Sequence, residues 1–181
     1  MPTTDRLVLR RWQPGDRAPF AAMNADPEVM RYVRDGRPMT RAESDELVDA
    51  IEAHWDRHGF GLWCAALHDQ PGTCIGFVGL AIPAFLPAVL PAVEVGWRLA
   101  RVTWGGGLAT EGAHAALGHA FGPLGLESVI AIIDPENDRS IRVAAKLGMR
   151  REASQLHPVT RRKLHVYAIS SEDAASSLGA A

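Results

Sequence analysis

The chain has 181 residues, 47% of them hydrophobic and 22% charged, with a net charge of -2 and a pI near 6.4. That size fits one domain, and the balance is that of a folded globular protein rather than a disordered or fibrous one. Phosphate-backbone binding needs a clustered basic excess, which is missing here, so nucleic acid is not expected as a partner.

Met1 to Arg10 carries Asp5, Arg6 and Arg10 and no apolar stretch of the secretory kind, so a cytoplasmic protein is expected. Gln70 to Val93 holds no charge, yet Pro71, Pro83, Pro87 and Pro91 would interrupt a spanning helix, and no membrane segment is expected. Cys64 and Cys74 fall in two runs read as a hairpin whose turn does not set them opposite each other. They are expected to be reduced core residues.

In chain order, Arg6 to Trp12 reads as a first strand ended by Pro14 and Gly15, after which Asp16 can cap a helix carrying Phe20, Ala21 and Met23. A short second helix starts at Asp26, with Pro27 at its first position. Thr40 to Glu43 forms a capping box, and Leu47, Val48, Ile51, His54 and Trp55 share one face of the helix that follows, up to Gly59. Gly61 to Leu67 and Thr73 to Leu80 read as antiparallel strands.

Val93 to Leu99 is the next strand, followed by a glycine run and a helix from Ala109 to Phe121. Ser128 to Ile133 is a strand, and Ile141, Ala144, Ala145 and Leu147 lie on a helix ended by Gly148. Two strands, Met149 to Ser154 and Leu164 to Ile169, precede a tail of about residues 171–181 expected to fray. The fold class is α/β with a mixed sheet in a single domain over 1–181.

Trp104, Gly105, Gly106, Gly107, Leu108 and Ala109 join a strand to a helix. Consecutive glycines let the backbone approach a bulky anion, and the first N–H groups of the helix point outward at its positive end, so a diphosphate fits there. Taken alone, the run is equally a tight connection. No Gly-Lys-Ser/Thr follows it and the third glycine of a dinucleotide fingerprint is missing, which speaks against ATP and NAD.

The string from Trp104 to Glu111 resembles the coenzyme loop of the GNAT acetyltransferase superfamily, in the branch containing the acetyltransferases of ribosomal-protein N-termini, where tryptophan opens the loop. Asn137 to Ser140 followed by Lys146 to Met149 resembles that family's next helix. Arg6 to Trp12, Ile75 to Leu80 and Glu94 to Leu99 resemble its earlier strands, and coverage runs from about Arg6 to Ile169. The resemblance implies a mostly antiparallel sheet whose central parallel pair splays apart, flanked by helices.

It also implies acetyl-CoA as donor. Its pyrophosphate would lie on Trp104 to Ala109, its pantetheine arm near Asn137 and along the backbone of Trp97, Arg98 and Leu99, with Gly96 marking a bulge. Unpaired strand groups cannot stay buried without partners, and pantetheine amides would supply them.

Transfer to an amine requires a proton to leave the acceptor. Glu94, the one acid in its strand, is the leading base, since burial would raise its pKa; a fold-stabilising ion pair is the other reading. Glu111, in the first turn of a helix, is assigned to structure. Many GNAT enzymes protonate the departing thiolate with a tyrosine, and the corresponding residue here is Ala144. Ser140, placed near the sulfur by the resemblance, is the remaining donor, or else a helix-cap serine.

The histidines are read as offering no HxxxH pair on a helix and no nearby Cys and Asp ligand set, His114 and His119 standing five apart, and no metal is expected. No Gly-x-Ser-x-Gly elbow supports hydrolase chemistry. Trp55, Phe60, Trp63 and Phe85 are expected to flank the acceptor side or to pack in the core. Ile82, Leu86 and Leu90, each before a proline, form an apolar loop that either lids the acceptor pocket or docks on a second subunit, a homodimer. The sequence thus points to an N-acetyltransferase acting in a ternary complex on a peptide N-terminus or small-molecule amine. The alternative is a non-catalytic acyl-CoA-binding module of the same fold.

Overall fold

Leu7 and Leu9 are buried while Val8 and Arg10 are half-exposed, the period-two pattern of a strand packed on one side. This strand, β1 (Leu7–Arg10), leads through a 3-10 turn at Pro14–Asp16 into α1 (Arg17–Asn24) and α2 (Pro27–Met30). Next come α3 (Arg41–His58) and the hairpin of β2 (Leu62–Leu67) and β3 (Gln70–Ala81). A proline-rich loop reaches β4 (Glu94–Leu99), followed by α4 (Leu108–Phe121), β5 (Ser128–Ile133) and α5 (Asp138–Lys146). β6 (Arg150–Leu156), β7 (Lys163–Ser170) and α6 (Ser171–Leu178) complete the residues that the structure, a computed structural model, describes, namely 2 and 4–178.

Local signals account for most of these boundaries. The Asp26 carboxylate accepts the Glu28 N–H at 2.9 Å, with Pro27 at the first position of α2. At the start of α3, Thr40 Oγ1 accepts from the Glu43 N–H and Glu43 accepts from the Thr40 N–H, at 3.2 and 2.8 Å. Gly59, at φ 73°, ends that helix in the left-handed region.

The strands form one seven-stranded sheet in the order β1-β2-β3-β4-β5-β7-β6. Every neighbouring pair is antiparallel except β4 and β5, which bridge only at Glu94 and Ile130. Beyond that bridge the two strands part, giving the splayed central pair that the resemblance implies. On one face, Ala113, Ala116, Leu117 and Ala120 of α4 pack into the cluster formed by Leu7, Val78 and Val95. On the other, Phe20, Met23, Val48 and Ile51 of α1 and α3 cover Cys64 and Phe77. Among the described residues no helix is long and apolar enough to cross a membrane; the uncharged stretch from Gln70 is largely β3.

Several expectations need correction. The tail is not frayed up to Leu178, because Ser171–Leu178 is helical as α6; residues 179–181 lie outside the described residues. Asp16 does not cap α1 with its side chain. Its carboxylate, 1% exposed, binds Arg10 through both oxygens at 2.6 and 2.8 Å and accepts the Gln13 N–H. Burial alone would raise its pKa, but these partners outweigh it and hold it below the usual carboxylate range.

Cys64 stands opposite Phe77 and Cys74 opposite Ala66, as a non-facing pair, yet a register shift at Ala65 and Ala66 brings both thiols and Asp16 within 4.8 Å of one another. Both are free, buried cysteines, and the neighbouring Cys74 thiol and burial push the Cys64 thiol up. The reading of the histidines also fails: His54 and His58 stand four apart on α3 with rings 4.5 Å apart. His54 is committed elsewhere, bonding the Phe60 carbonyl through Nδ1 and accepting the Ile82 N–H at Nε2.

Trp55, Phe60 and Trp63 pack against the core, with Trp63 1% exposed and edge-on to Trp55. In the apolar loop Leu86 is 2% exposed within its own chain, whereas Phe85 and Leu90 are 44% and 42% exposed. Phe85 stacks on His157 from the β6–β7 turn, 5.6 Å between centroids.

Candidate active site

The parting of β4 and β5 leaves a cleft, and hydrogen-bond phase decides which groups face it. The Ala100 N–H donates to Ile75 and the Leu80 N–H to Gly61 of the opposite neighbour. With the β3–β4 register of Phe77 to Arg98 and Gly79 to Gly96, the backbone groups of Glu94, Gly96 and Arg98 therefore point to β3. Those of Trp97 and Leu99 point into the gap, while Val95 is held at the bridge to Ile130. One of them, the Leu99 carbonyl, accepts the Trp104 indole N–H at 2.8 Å. The expectation that Arg98 offers its backbone to pantetheine thus gives way: Arg98 presents its side chain instead. Gly96 is no bulge, since the β3–β4 register runs unbroken past it.

Below the gap, the glycine loop turns into α4. Gly105 and Gly107 have φ of 84° and 82°, a conformation that side chains resist. A Cβ at Gly105 or Gly106 would meet nothing within 4 Å, so this surface is open. The N–H groups from Gly105 to Thr110 find no acceptor among the described residues, and they gather at the positive end of a 14-residue helix. Arg6 braces the loop from behind, donating to the Gly106 carbonyl at 2.8 Å and to Glu111 at 2.7 Å. Burial would raise the Glu111 carboxyl, but Thr4 and Arg6 hold it low, in keeping with a structural part.

A cavity of about 590 Å³ runs from this loop along the gap. Trp97, Arg98, Leu99, Trp104, Gly105, Gly107, Leu108, Ala109, Asn137 and Ser140 line it, so residues far apart in the chain meet as expected; Gly106 and Glu94 do not line it. Asn137 caps α5 by accepting the Ser140 N–H at 3.2 Å, which removes the cap reading of Ser140. Ser140 Oγ accepts the Trp97 indole N–H at 3.3 Å and keeps its own proton to donate. Arg139, 4.5 Å over the Trp104 ring, lines the donor end with Arg142 and Lys146. Sequence reasoning missed these three cations, although their spacing on the helix after Asn137 was visible.

Glu94, like Gly96, lies outside the cavity lining, whose first β4 residue is Trp97, on the strand face that also carries Gly96 and Arg98. Burial pushes its carboxyl up to about 8, a backbone hydrogen bond from Ile132 pulling the other way. No ion pair involves it among the described residues, so the fold-stabilising pair is not what places it there. Between Glu94 and Arg98 the strand is bare: a Cβ on Gly96 would come no nearer than 3.9 Å to Leu62 and 4.0 Å to Phe77.

The opposite end of the cavity is lined by Glu28, Val29, Arg31, Tyr32 and Val33, a wall absent from the expectations. Arg162 pins this wall, donating to the Arg31 carbonyl at 3.4 Å and to Asp134 at 2.7 Å. Arg98 reaches toward it, its guanidinium 5.2 Å over the Phe77 ring and bonded to Asn24 Oδ1 at 2.9 Å. Burial, with Arg34 nearby, lowers its pKa to about 10.

Comparison with known proteins follows this geometry. The family model described as an acetyltransferase (GNAT) domain matches residues 6–150. The chain is 34% identical over 150 residues to the protein YkkB of Bacillus subtilis, covering 81% of this chain and 83% of the relative. An acetyltransferase structure from Agrobacterium tumefaciens is similar with a TM-score of 0.78 at 27% identity, over 92% of each chain. Mycobacterium smegmatis RimJ, solved in complex with CoA-disulfide, shares the fold with a TM-score of 0.74 at 23% identity, over 96% of this chain and 88% of that one.

Proposed function

The chain belongs to the GNAT acetyltransferase family, and on that premise we propose that it moves acetyl from acetyl-CoA to a primary amine by direct attack within a ternary complex. One observation carries the donor side: the row of N–H groups from Gly105 to Thr110, without acceptors and aimed into a cleft. A diphosphate matches that row, Arg139, Arg142 and Lys146 add positive charge, and the gap-facing backbone of Trp97 suits the amides of pantetheine. Acetyl-CoA supplies the acetyl group as a thioester.

The acceptor nitrogen approaches over bare Gly96. A bond forms between this nitrogen and the acetyl carbon, the carbon–sulfur bond breaks, and the amine proton passes to Glu94, directly or through water. A base with a pKa near 8 suits an amine that must lose a proton at neutral to mildly alkaline pH. Ser140, its hydroxyl oriented by Trp97, donates a hydrogen bond to the departing thiolate, which takes its proton from solvent, in place of the tyrosine that Ala144 cannot supply. The same reading keeps the reaction in the cytoplasm and pairs two copies through Phe85 and Leu90.

Release of free thiol from acetyl-CoA across a panel of amines and short peptides tests this, alongside the thermal shift produced by coenzyme A. Turnover with at least one amine is expected. A shift without turnover of any acceptor would favour a non-catalytic acyl-CoA-binding module.

A further inference from the structure

Arg98 has a feature that the donor side does not use. It lines the cavity, and Asn24 is the single hydrogen-bonding partner of its guanidinium among the described residues. Among the described residues its other N–H groups find no partner, and they are not sealed in protein. Among the described residues no carboxylate pairs with it, and the like charge of Arg34 opposes its own. Glu28, the one acid on the same wall, forms no ion pair with Arg98, Arg31 or Arg34. Keeping a half-buried cation over the Phe77 ring without a counter-charge is costly unless something supplies one.

The position of this charge fixes what would supply it. Its side chain stands on the α1 side of β4, over Phe77, away from Arg139, Arg142 and Lys146 at the donor end. On that same strand face lie Gly96, where the surface is bare, and Glu94. Glu94 and Arg98 are four residues apart on that face, about 13 Å between Cα atoms.

We propose that the acceptor is an amine that also bears a carboxylate, held by Arg98 with Arg34 beside it while its nitrogen lies over Gly96 toward Glu94. This rests on the acetyltransferase reading above and names its substrate class: ω-amino acids and short peptides with a free acidic end. Arg98 reads the anion, Gly96 gives the chain room, and Glu94 receives the proton. Positively charged polyamines are disfavoured beside Arg98, to which Arg34 adds like charge.

The test compares matched acceptors by thiol release: 5-aminopentanoate against 5-aminopentanamide and pentylamine, and triglycine against its amide. A charge-assisted hydrogen bond predicts a kcat/KM about 10- to 100-fold higher for each carboxylate. Arg98→Gln should bring the ratio within about threefold, mainly through KM of the carboxylates, while the affinity for coenzyme A by calorimetry stays unchanged and reports a folded protein. Arg34→Gln, on the surface, should lower the same ratio in part and guards against a misfolded Arg98 variant. Wild-type enzyme that acetylates the amide and alkylamine as well as the carboxylates would overturn the proposal and leave the acetyltransferase reading standing. So would a selective loss of coenzyme A affinity in Arg98→Gln, which would assign the arginine to the donor. No thiol release with any acceptor would overturn the underlying reading and the proposal together.

Discussion

The two ends of the cavity are made from different materials. At the donor end, recognition is by main chain: consecutive N–H groups from Gly105 to Thr110, two left-handed glycines and a helix end, braced by Arg6. At the acceptor end it is by side chains from separate segments, with Arg98 from β4, Glu28 and Tyr32 from α2 and beyond, and Arg162 pinning them from the turn just before β7. A backbone site is hard to change without changing the turn itself, whereas a side-chain site can be altered one residue at a time. The donor end is therefore suited to one unvarying cosubstrate and the acceptor end to selectivity.

Charge in the loop should break the first half of this contrast outright. Gly107→Glu puts a carboxylate where the pyrophosphate is expected, and affinity for coenzyme A should fall by at least about 100-fold in calorimetry. Gly107→Ala is the control for backbone strain alone, because the added Cβ meets only Arg6 Nη2, at 3.6 Å. If Gly107→Glu binds coenzyme A normally, the loop assignment falls.

Glu94→Gln should lower kcat by about 100- to 1000-fold with little change in coenzyme A affinity. In the wild type kcat/KM should rise with pH to a plateau above about 8, and the variant should lose that limb. Stability carries the opposite sign. A carboxyl whose folded pKa of about 8 exceeds its unfolded value holds its proton more tightly when folded, so stability falls as pH rises from about 4.5 to 8. The variant should show a higher Tm than wild type at pH 8, and an unchanged pH–Tm slope would show Glu94 to be ionised and solvated.

Arg162→Ala frees the Arg31 carbonyl and leaves Asp134 without its cation. KM for the amine should rise by about threefold to tenfold and affinity for coenzyme A should hold; equal effects on both would erase the division between the two ends. Smallest is the change at the apolar loop. Phe85→Ser with Leu90→Ser should leave turnover near wild type and lower the mass seen in sedimentation, whereas unchanged mass would dispose of the dimer contact.

The same division governs what could be read from residue order. Donor-end signals are contiguous: the glycines, the strand before them and Asn137 at the start of a helix each have a local cause. Asp26, Thr40 and Gly59 were legible for the same reason. From residue order Arg98 reads as backbone for pantetheine; the part of its side chain depends on Asn24, Phe77 and Arg34, which only the fold brings near. Asp16 and Arg10 were missed likewise: a local rule assigns Asp16 to a helix cap, and a buried ion pair across the 3-10 turn prevails. The thiols of Cys64 and Cys74 come together through a register shift that no alternation pattern reveals.

The lone bridge between Glu94 and Ile130 divides the sheet into four strands on one side and three on the other, with α4 packed across the seam. Whatever fills the open part of that seam acts as a crosslink between two half-sheets, so the donor is also a structural member. By mass action, a ligand at 100 times its Kd adds about 2.7 kcal/mol to the folded state. How firmly the two halves hold together, and hence how long the protein lasts against unfolding and proteolysis, therefore follows the supply of the compound it consumes.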